Sequence, residues 1–244
     1  GFDAIKPYLP GSTINPSVYA QSGAYLALGL IYSNTNNKEI VEKLEEALSA
    51  SVQQEIMLHG ILFALGLVTM GSGSELNYTK LRDWVYKDDA VIGEAATYAI
   101  GLSMYGTRNP HVIEDLFVYA HDTQHEKIIR AIAVSLGLIM YGAEEEADEL
   151  VNKMYQEKDP IIRYGAMYVI GMAYAGTGNS QAFKKLIKVS VSDVNDDVRR
   201  AALINVGFIH FKTPQILIEK LKVMHLLSES YNQHVRYGTA MCLG

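Results

Sequence analysis

Cysteine is almost missing from this 244-residue sequence: Cys242 stands alone, so no disulfide can form within the chain. Proline occurs six times, too seldom for a proline-rich linker. Charge is also modest, at 20%, with 21 basic against 27 acidic residues and a net charge of −6. The basic residues stand singly or in pairs. A phosphate backbone needs clustered Lys and Arg, so a nucleic-acid partner is excluded. Apolar runs break every few residues at Gly, Ser, Tyr or a charge, leaving no signal peptide and no membrane-spanning stretch. The expectation is a soluble cytoplasmic or nuclear protein, in which the sequon Asn77-Tyr78-Thr79 has no role. What is abundant is apolar material, 49% of residues, together with twenty glycines.

The glycines are periodic. A motif of the form small-x-x-x-small-apolar-Gly-apolar recurs around Gly29, Gly66, Gly101, Gly137, Gly171, Gly207 and Gly244, at spacings of 37, 35, 36, 34, 36 and 37 residues. Six residues before each stands Gly or Ala: Gly23, Gly60, Ala95, Ala131, Gly165, Ala201 and Gly238. The positions nine before and one before are apolar in every unit. Offsets −9, −6, −2, −1 and +1 fall near one stripe of a 3.6-residue helix, so each motif reads as an amphipathic helix of about four turns. Asp88-Asp89, Asp159-Pro160, Asn195-Asp196-Asp197 and Asn232 precede these runs as start signals.

A second glycine often follows five residues after the first: Gly71, Gly106, Gly142 and Gly176, replaced by Asn34 and Lys212 in the first and sixth units. It is expected to cap the first helix in the left-handed conformation. A second apolar face then appears, as in Ile40, Val41, Leu44 and Leu48, or Val112, Ile113, Leu116 and Ala120 behind Pro110. The second unit is the least regular, with Leu81, Trp84 and Val85; in the sixth, Thr213-Pro214 opens a helix carrying Leu217 and Leu221. Each unit is thus expected to be helix, glycine turn and antiparallel helix. Two helices cannot bury both apolar faces alone, so neighbours must stack. The fold class is all-α, an α-α superhelix of about 36-residue helix-turn-helix repeats. An incoming segment, 1–11, precedes an array, 12–244, of about six full repeats and the first helix of a seventh, where the chain stops. Glycine inside a helix costs about 0.5–1 kcal/mol relative to Ala, and close approach of neighbouring helices is the expected compensation.

Chemistry-bearing patterns are weak. His121 and His125, spaced i,i+4, resemble a pair of metal ligands, but the segment lies between helices and lacks the zincin Glu. Gly176-Thr177-Gly178-Asn179-Ser180 resembles a phosphate loop without its Lys or its strand, and reads better as a helix–helix turn. Asp196, Asp197, Arg199 and Arg200 form the densest charge cluster and read as carboxylates at a helix start with arginines one turn on. Arg163, Arg199 and Arg236 share offset −8, which suggests a ladder of inter-repeat or partner contacts with Arg200 beside it. Cys242 shares the small-residue position of Ala27, Ala64 and Ala99, that of a packed thiol. The run Glu144-Glu145-Glu146 with Asp148 and Glu149 is a solvated helix start, or else a docking site for a basic partner. Tyr25, Tyr98 and Tyr168 fall inside first helices and are expected to pack there. No nucleophile–base, metal or cofactor constellation is present, so neither an enzyme nor a cofactor is expected.

The period and the Gly-Ala-rich first helix resemble the proteasome/cyclosome repeat more than tetratricopeptide or HEAT units. Four segments carry the resemblance: 88–96, 123–128, 192–202 and 227–238, reading DDAVIGEAA, TQHEKI, SDVNDDVRRAA and LSESYNQHVRYG. They resemble the repeat-bearing non-ATPase subunits of the proteasome regulatory particle, the larger of the two more than the smaller or the anaphase-promoting-complex subunit. The resemblance implies a toroid of repeats, here an arc or part of one. It also implies a non-catalytic scaffold in a hetero-oligomeric complex, contacting ATPase-ring and lid subunits and a ubiquitin receptor, the last through regions outside this segment. A generic helical-repeat adaptor of another large complex is the alternative.

Overall fold

The computed structural model describes residues 1–11, 16–51, 54–215 and 221–244, with only the backbone of Leu221. Leu217, the Leu221 side chain and the boundary expected at residue 12 lie outside the described residues. Among the described residues every regular element is helical. After α1 (Phe2–Ile5) and a 3-10 turn (Lys6–Tyr8), the first helices of the repeats are α2 (Val18–Ile31), α4 (Glu55–Val68), α6 (Ala90–Ser103), α8 (Glu126–Ile139), α10 (Pro160–Ala173), α12 (Asp196–His210) and α14 (Gln233–Leu243). The second helices are α3 (Lys38–Ala50), α5 (Glu75–Val85), α7 (Pro110–Asp122), α9 (Asp148–Tyr155), α11 (Ser180–Ser192) and α13 (Leu221–Ser228). The chain divides into two compact units, 1–135 and 136–244, and the division falls inside α8.

The start signals act as caps. Asp89 accepts from the N–H groups of Val91 and Ile92, Asp159 from Ile161 behind Pro160, and Asn195 and Asn232 likewise open α12 and α14. These side chains satisfy donors that a helix start leaves free. In unit 1, α2, α4 and α6 lie side by side; in unit 2, α10, α12 and α14 do the same. Five second helices pack mainly on the first helix that follows them: α3 on α4, α5 on α6, α9 on α10, α11 on α12 and α13 on α14. The hairpin expected from the sequence, a first helix folded back on its own second helix, is therefore not the tightest pairing. The connecting turn carries the second helix over to the next repeat.

First helices are buried on more than one stripe. In α4 the buried residues are Met57, Leu58, Gly60, Ile61, Leu62, Ala64, Leu65, Gly66 and Val68. The offsets −9, −6, −2 and −1 are among them, but the expected +1 position is not. Leu67, Leu102, Leu138 and Met172 are half-buried, and Leu30 and Phe208 are exposed. A helix packed between two first helices, with a second helix behind, keeps a narrow open face, and offset +1 lies on it. Tyr25 is buried, Tyr98 stacks on Phe63 at 5.4 Å, and Tyr168 meets Tyr164 at 4.9 Å.

Candidate functional site: the seam between repeats

Among the described residues, the contact line between adjacent first helices within each unit recurs and brings nearly the same repeat positions together. Its close-packed half rests on the central glycines. In unit 1, a Cβ built on Gly66 would lie 2.5 Å from the Cα of Ala99, and one on Gly29 2.6 Å from that of Ala64. No side chain fits at such distances, so the helices meet backbone to backbone. The partner of each central glycine here is offset −2 of the next repeat. Hydroxyls seal the same line: Ser22 Oγ donates to the Ile56 carbonyl at 2.7 Å, and Ser135 Oγ to that of Thr97 at 2.9 Å.

In unit 2 the −2 position has grown. Gly171 faces the Asn205 side chain, and Gly207 faces Cys242, with a built Cβ 3.2 Å from the Cys242 carbonyl. Asn205 Nδ2 donates to the Ala201 carbonyl at 2.9 Å, while its buried Oδ1 has no hydrogen-bond partner among the described residues. Burial pushes the Cys242 thiol up to about 12, so it stays protonated and serves as packing. Gly244 keeps the phase of the repeat but stands exposed one residue past α14. A Cβ built there would meet only the Ala240 carbonyl of its own helix, at 3.6 Å.

The second half of the seam is a backbone clamp. Two residues of each connecting turn, at offsets +5 and +7, take positive φ: Asn34 and Asn36, Gly71 and Gly73, Gly106 and Arg108, Gly142 and Glu144, Gly176 and Gly178. The left-handed conformation was expected at +5 as a cap for the turn's own helix. Instead the N–H groups reach the next repeat. In unit 1, Asn34 and Asn36 donate to the carbonyls of Leu67 and Val68, both at 2.9 Å, and Gly71 and Gly73 to Leu102 and Ser103 at 2.9 and 3.0 Å. In unit 2, Gly142 donates to Met172 at 3.1 Å, and Gly176 and Gly178 to Phe208 and Ile209 at 2.8 and 2.9 Å. These acceptors belong to the last turn of a helix, where carbonyls have no partner within it. The turn of one repeat thus caps the first helix of the next. It also spends the N–H groups that make Gly176–Gly178 look like a phosphate loop. The +7 residue was missed because only two of its five occupants are glycine; its sequence signal is a recurrent Gly, Asn or charged residue just ahead of the second-helix cap.

A polar clasp closes the opposite end of the first helices. In unit 1, Asp88, itself at φ 52°, accepts from Tyr119 Oη at 2.9 Å and Thr123 Oγ1 at 2.7 Å. These hydroxyl bonds hold the Asp88 carboxyl below its ordinary value, and burial followed by the Asp88 bond raises the Tyr119 phenol. In unit 2, Arg163 forks onto Asp193 at 3.0 and 3.1 Å and also donates to the carbonyls of Glu157 and Lys158. Arg199 Nε donates to the Asp193 carbonyl, and Arg236 to those of Ser230 and Tyr231. Of the three arginines at offset −8, Arg163 reaches the turn of the next repeat, whereas Arg199 and Arg236 bond the turns ahead of their own helices. Arg200 pairs with Asp197 at 2.7 Å and lies 5.9 Å from the Tyr237 ring of α14. Asp196 accepts from Asn232 Nδ2 at 2.7 Å, which ties α12 to the start of α14.

The two candidate metal histidines have separate partners. His121 Nδ1 lies 2.9 Å from the Phe117 carbonyl within α7, and His125 Nε2 lies 3.8 Å from Asp88. No group of three or more His, Cys, Asp or Glu fit to hold a metal occurs among the described residues, and no described helix is long and apolar enough to cross a membrane.

Fold and seam define a class: an all-α helical-repeat array in which glycine-based seams, rather than side-chain chemistry, recur. A proteasome/cyclosome repeat model matches residues 95–129, which span most of α6, all of α7 and the start of α8. The chain is similar over practically its whole length to proteasome regulatory subunits. It is 47% identical over 240 residues to 26S proteasome non-ATPase regulatory subunit 1 of Drosophila melanogaster, covering 98% of this chain and 23% of that protein. It is 42% identical over 241 residues to 26S proteasome regulatory subunit rpn2 of Schizosaccharomyces pombe, covering 98% and 24%. With 26S proteasome non-ATPase regulatory subunit 1 homolog B of Arabidopsis thaliana it shares 43% over 246 residues, covering 100% and 24%. The chain spans about a quarter of the length of these relatives.

Proposed function

We propose that this chain is a non-catalytic scaffold segment of the proteasome regulatory particle base. It holds ATPase-ring, lid and ubiquitin-receptor subunits at fixed positions for ubiquitin-dependent protein degradation, in the cytoplasm and nucleus. The observation that carries this reading is similarity over 98–100% of the chain to non-ATPase regulatory subunits of the 26S proteasome. The seam supports it mechanically. Backbone bonds fix the spacing of successive repeats, and a fixed spacing is what a platform for several partners requires. The clasps also support it, because Asp88 with Tyr119 in unit 1 and Arg163 with Asp193 in unit 2 spend their polar groups on each other rather than on chemistry.

The test is native affinity purification of the tagged protein from eukaryotic cells, followed by mass spectrometry. Proteasomal ATPase and lid subunits are the expected co-purifying proteins. Recovery of a different assembly, such as the anaphase-promoting complex, would replace this reading with that of an adaptor in that assembly. Peptidase or ATPase activity intrinsic to the purified chain would overturn the non-catalytic part.

A further inference from the structure

Adjacent second helices in unit 2 carry opposite charge. The acidic residues Glu144, Glu145, Glu146, Asp148 and Glu149 enter α9, whereas α11 reads SQAFKKLIKVSVS, with three lysines and no carboxylate. Lys184, Lys185 and Lys188 line one wall of a cleft of about 370 Å³, whose other lining residues are Asp148, Ile170, Tyr174, Gln181 and Ala182. Lys184 and Lys188 are exposed one turn apart, where like charges repel. Among the described residues neither takes part in an ion pair, and Lys185 is met only by the neutral Asn152 Oδ1 at 3.0 Å. The carboxylates of the neighbouring helix do not reach them. Asp148 lies instead beside Tyr174, whose phenol is pushed up to about 12 by burial first and then by Asp148 and Glu145. The fold therefore concentrates three positive charges on one helix face, against the single carboxylate of Asp148 in the cleft and with no ion pair to them among the described residues.

We propose that the Lys184–Lys185–Lys188 face of α11 docks an acidic segment of a partner protein, with aliphatic side chains of that segment entering the cleft over Ile170 and Ala182. Charge complementarity selects the carboxylates, since compact ammonium groups on flexible stems accept them without a fixed geometry. The apolar floor selects against a bare anion. A phosphate needs converging donors, whereas here the lysines form a row, no arginine joins them, and Asp148 sits in the cleft. Nucleic acid is disfavoured by the Glu144–Glu149 run beside the face and by the net charge of −6.

The proposal is independent of the proteasomal reading and is tested on the intact protein by fluorescence anisotropy. The probe is a fluorescein-labelled twelve-residue peptide of repeating Glu-Glu-Leu. Wild-type protein is expected to bind it with an affinity that falls as salt rises. Lys184→Glu with Lys188→Glu weakens binding by roughly tenfold or more, whereas Lys43→Glu with Lys80→Glu in unit 1 leaves it unchanged. Lys184→Gln with Lys188→Gln, expected to be intermediate, keeps the test available if the reversal variant fails to fold. Equal loss in the unit 1 control, undiminished binding by the α11 variants, or displacement of the peptide by inorganic phosphate or a short RNA binding more tightly would each overturn the proposal.

Discussion

The seams of unit 1 and unit 2 use one frame and different chemistry. In unit 1 Gly29 and Gly66 meet the alanine backbones of Ala64 and Ala99, Gly101 meets Ser135, and the clasp is a carboxylate taking hydroxyl bonds, Asp88 with Tyr119 and Thr123. In unit 2 Gly171 meets the Asn205 side chain, Gly137 and Gly207 meet the backbones of Tyr168 and Cys242 at a looser 3.1 and 3.2 Å, and the clasp is the Arg163–Asp193 ion pair. Offset −14 of the following repeat, Thr123 in one unit and Asp193 in the other, closes the clasp in both cases. The lesson is that the backbone clamp sets the register, while the side chains at −2 and −14 vary.

Substitutions that strain one unit and spare the other test this contrast. The largest effect is expected from Gly66→Leu, which drives a side chain into the Ala99 backbone; overpacking of this kind costs about 3 kcal/mol, read as a loss of urea midpoint. Arg163→Ala ranks next. The pair is largely buried, with side-chain exposures of 13% and 4%, and stripping one partner from such a pair costs about 3 kcal/mol at neutral pH. Its pH dependence has a definite sign. Burial alone would raise the Asp193 carboxyl, but the Arg163 bond, the Asn195 N–H and the charges of Arg163 and Arg199 outweigh it and hold the group below 3.8. Its stabilisation is therefore full above that value and is lost as pH falls through the depressed one; in Arg163→Ala that acid-side loss shrinks.

Smaller effects follow. Gly71→Ala forces a Cβ into the left-handed region at φ 71°, a change worth about 1–2 kcal/mol. It should also speed hydrogen exchange at the Gly71 and Gly73 amides, whose bonds cross the seam; unaltered exchange would separate the strain from the clamp. Gly207→Ala is expected to be nearly neutral. Its Cβ would meet Cys242 at 3.2 Å, a tight contact offset by a gain of about 0.5–1 kcal/mol in helix propensity. If Gly207→Ala proved as damaging as Gly66→Leu, the difference drawn between the two seams would fail.

Much of the fold was legible in the residues. The central glycines and the Gly or Ala six before them marked every described first helix, and the Asp and Asn start signals opened α6, α10, α12 and α14, since amphipathic period and capping are local properties. What went astray was each inference about which neighbour a position serves. Leu30 and Phe208 at offset +1 look like core by period and are exposed, because the partner helices leave one face open. Gly71 reads as the end of its own helix and caps the next one. Arg163 and Arg199 share an offset, but Arg163 pairs with Asp193 on the following turn, whereas Arg199 bonds the Asp193 carbonyl ahead of its own helix. The α11 lysines and the acidic run at the start of α9 stand about forty residues apart in sequence, so their placement without pairing was invisible.

The sequence by itself determined an all-α array, its period of about 36 residues and the small residues on which helices approach. Those follow from local periodicity and the steric size of glycine. Only the tertiary structure decided that the turns bond forward into the next repeat, that second helices lean on the following first helix, and that the clasp changes from hydroxyl–carboxylate to ion pair. Each of these depends on which orphan carbonyl or carboxylate comes within bonding distance, and that is a property of two repeats packed together.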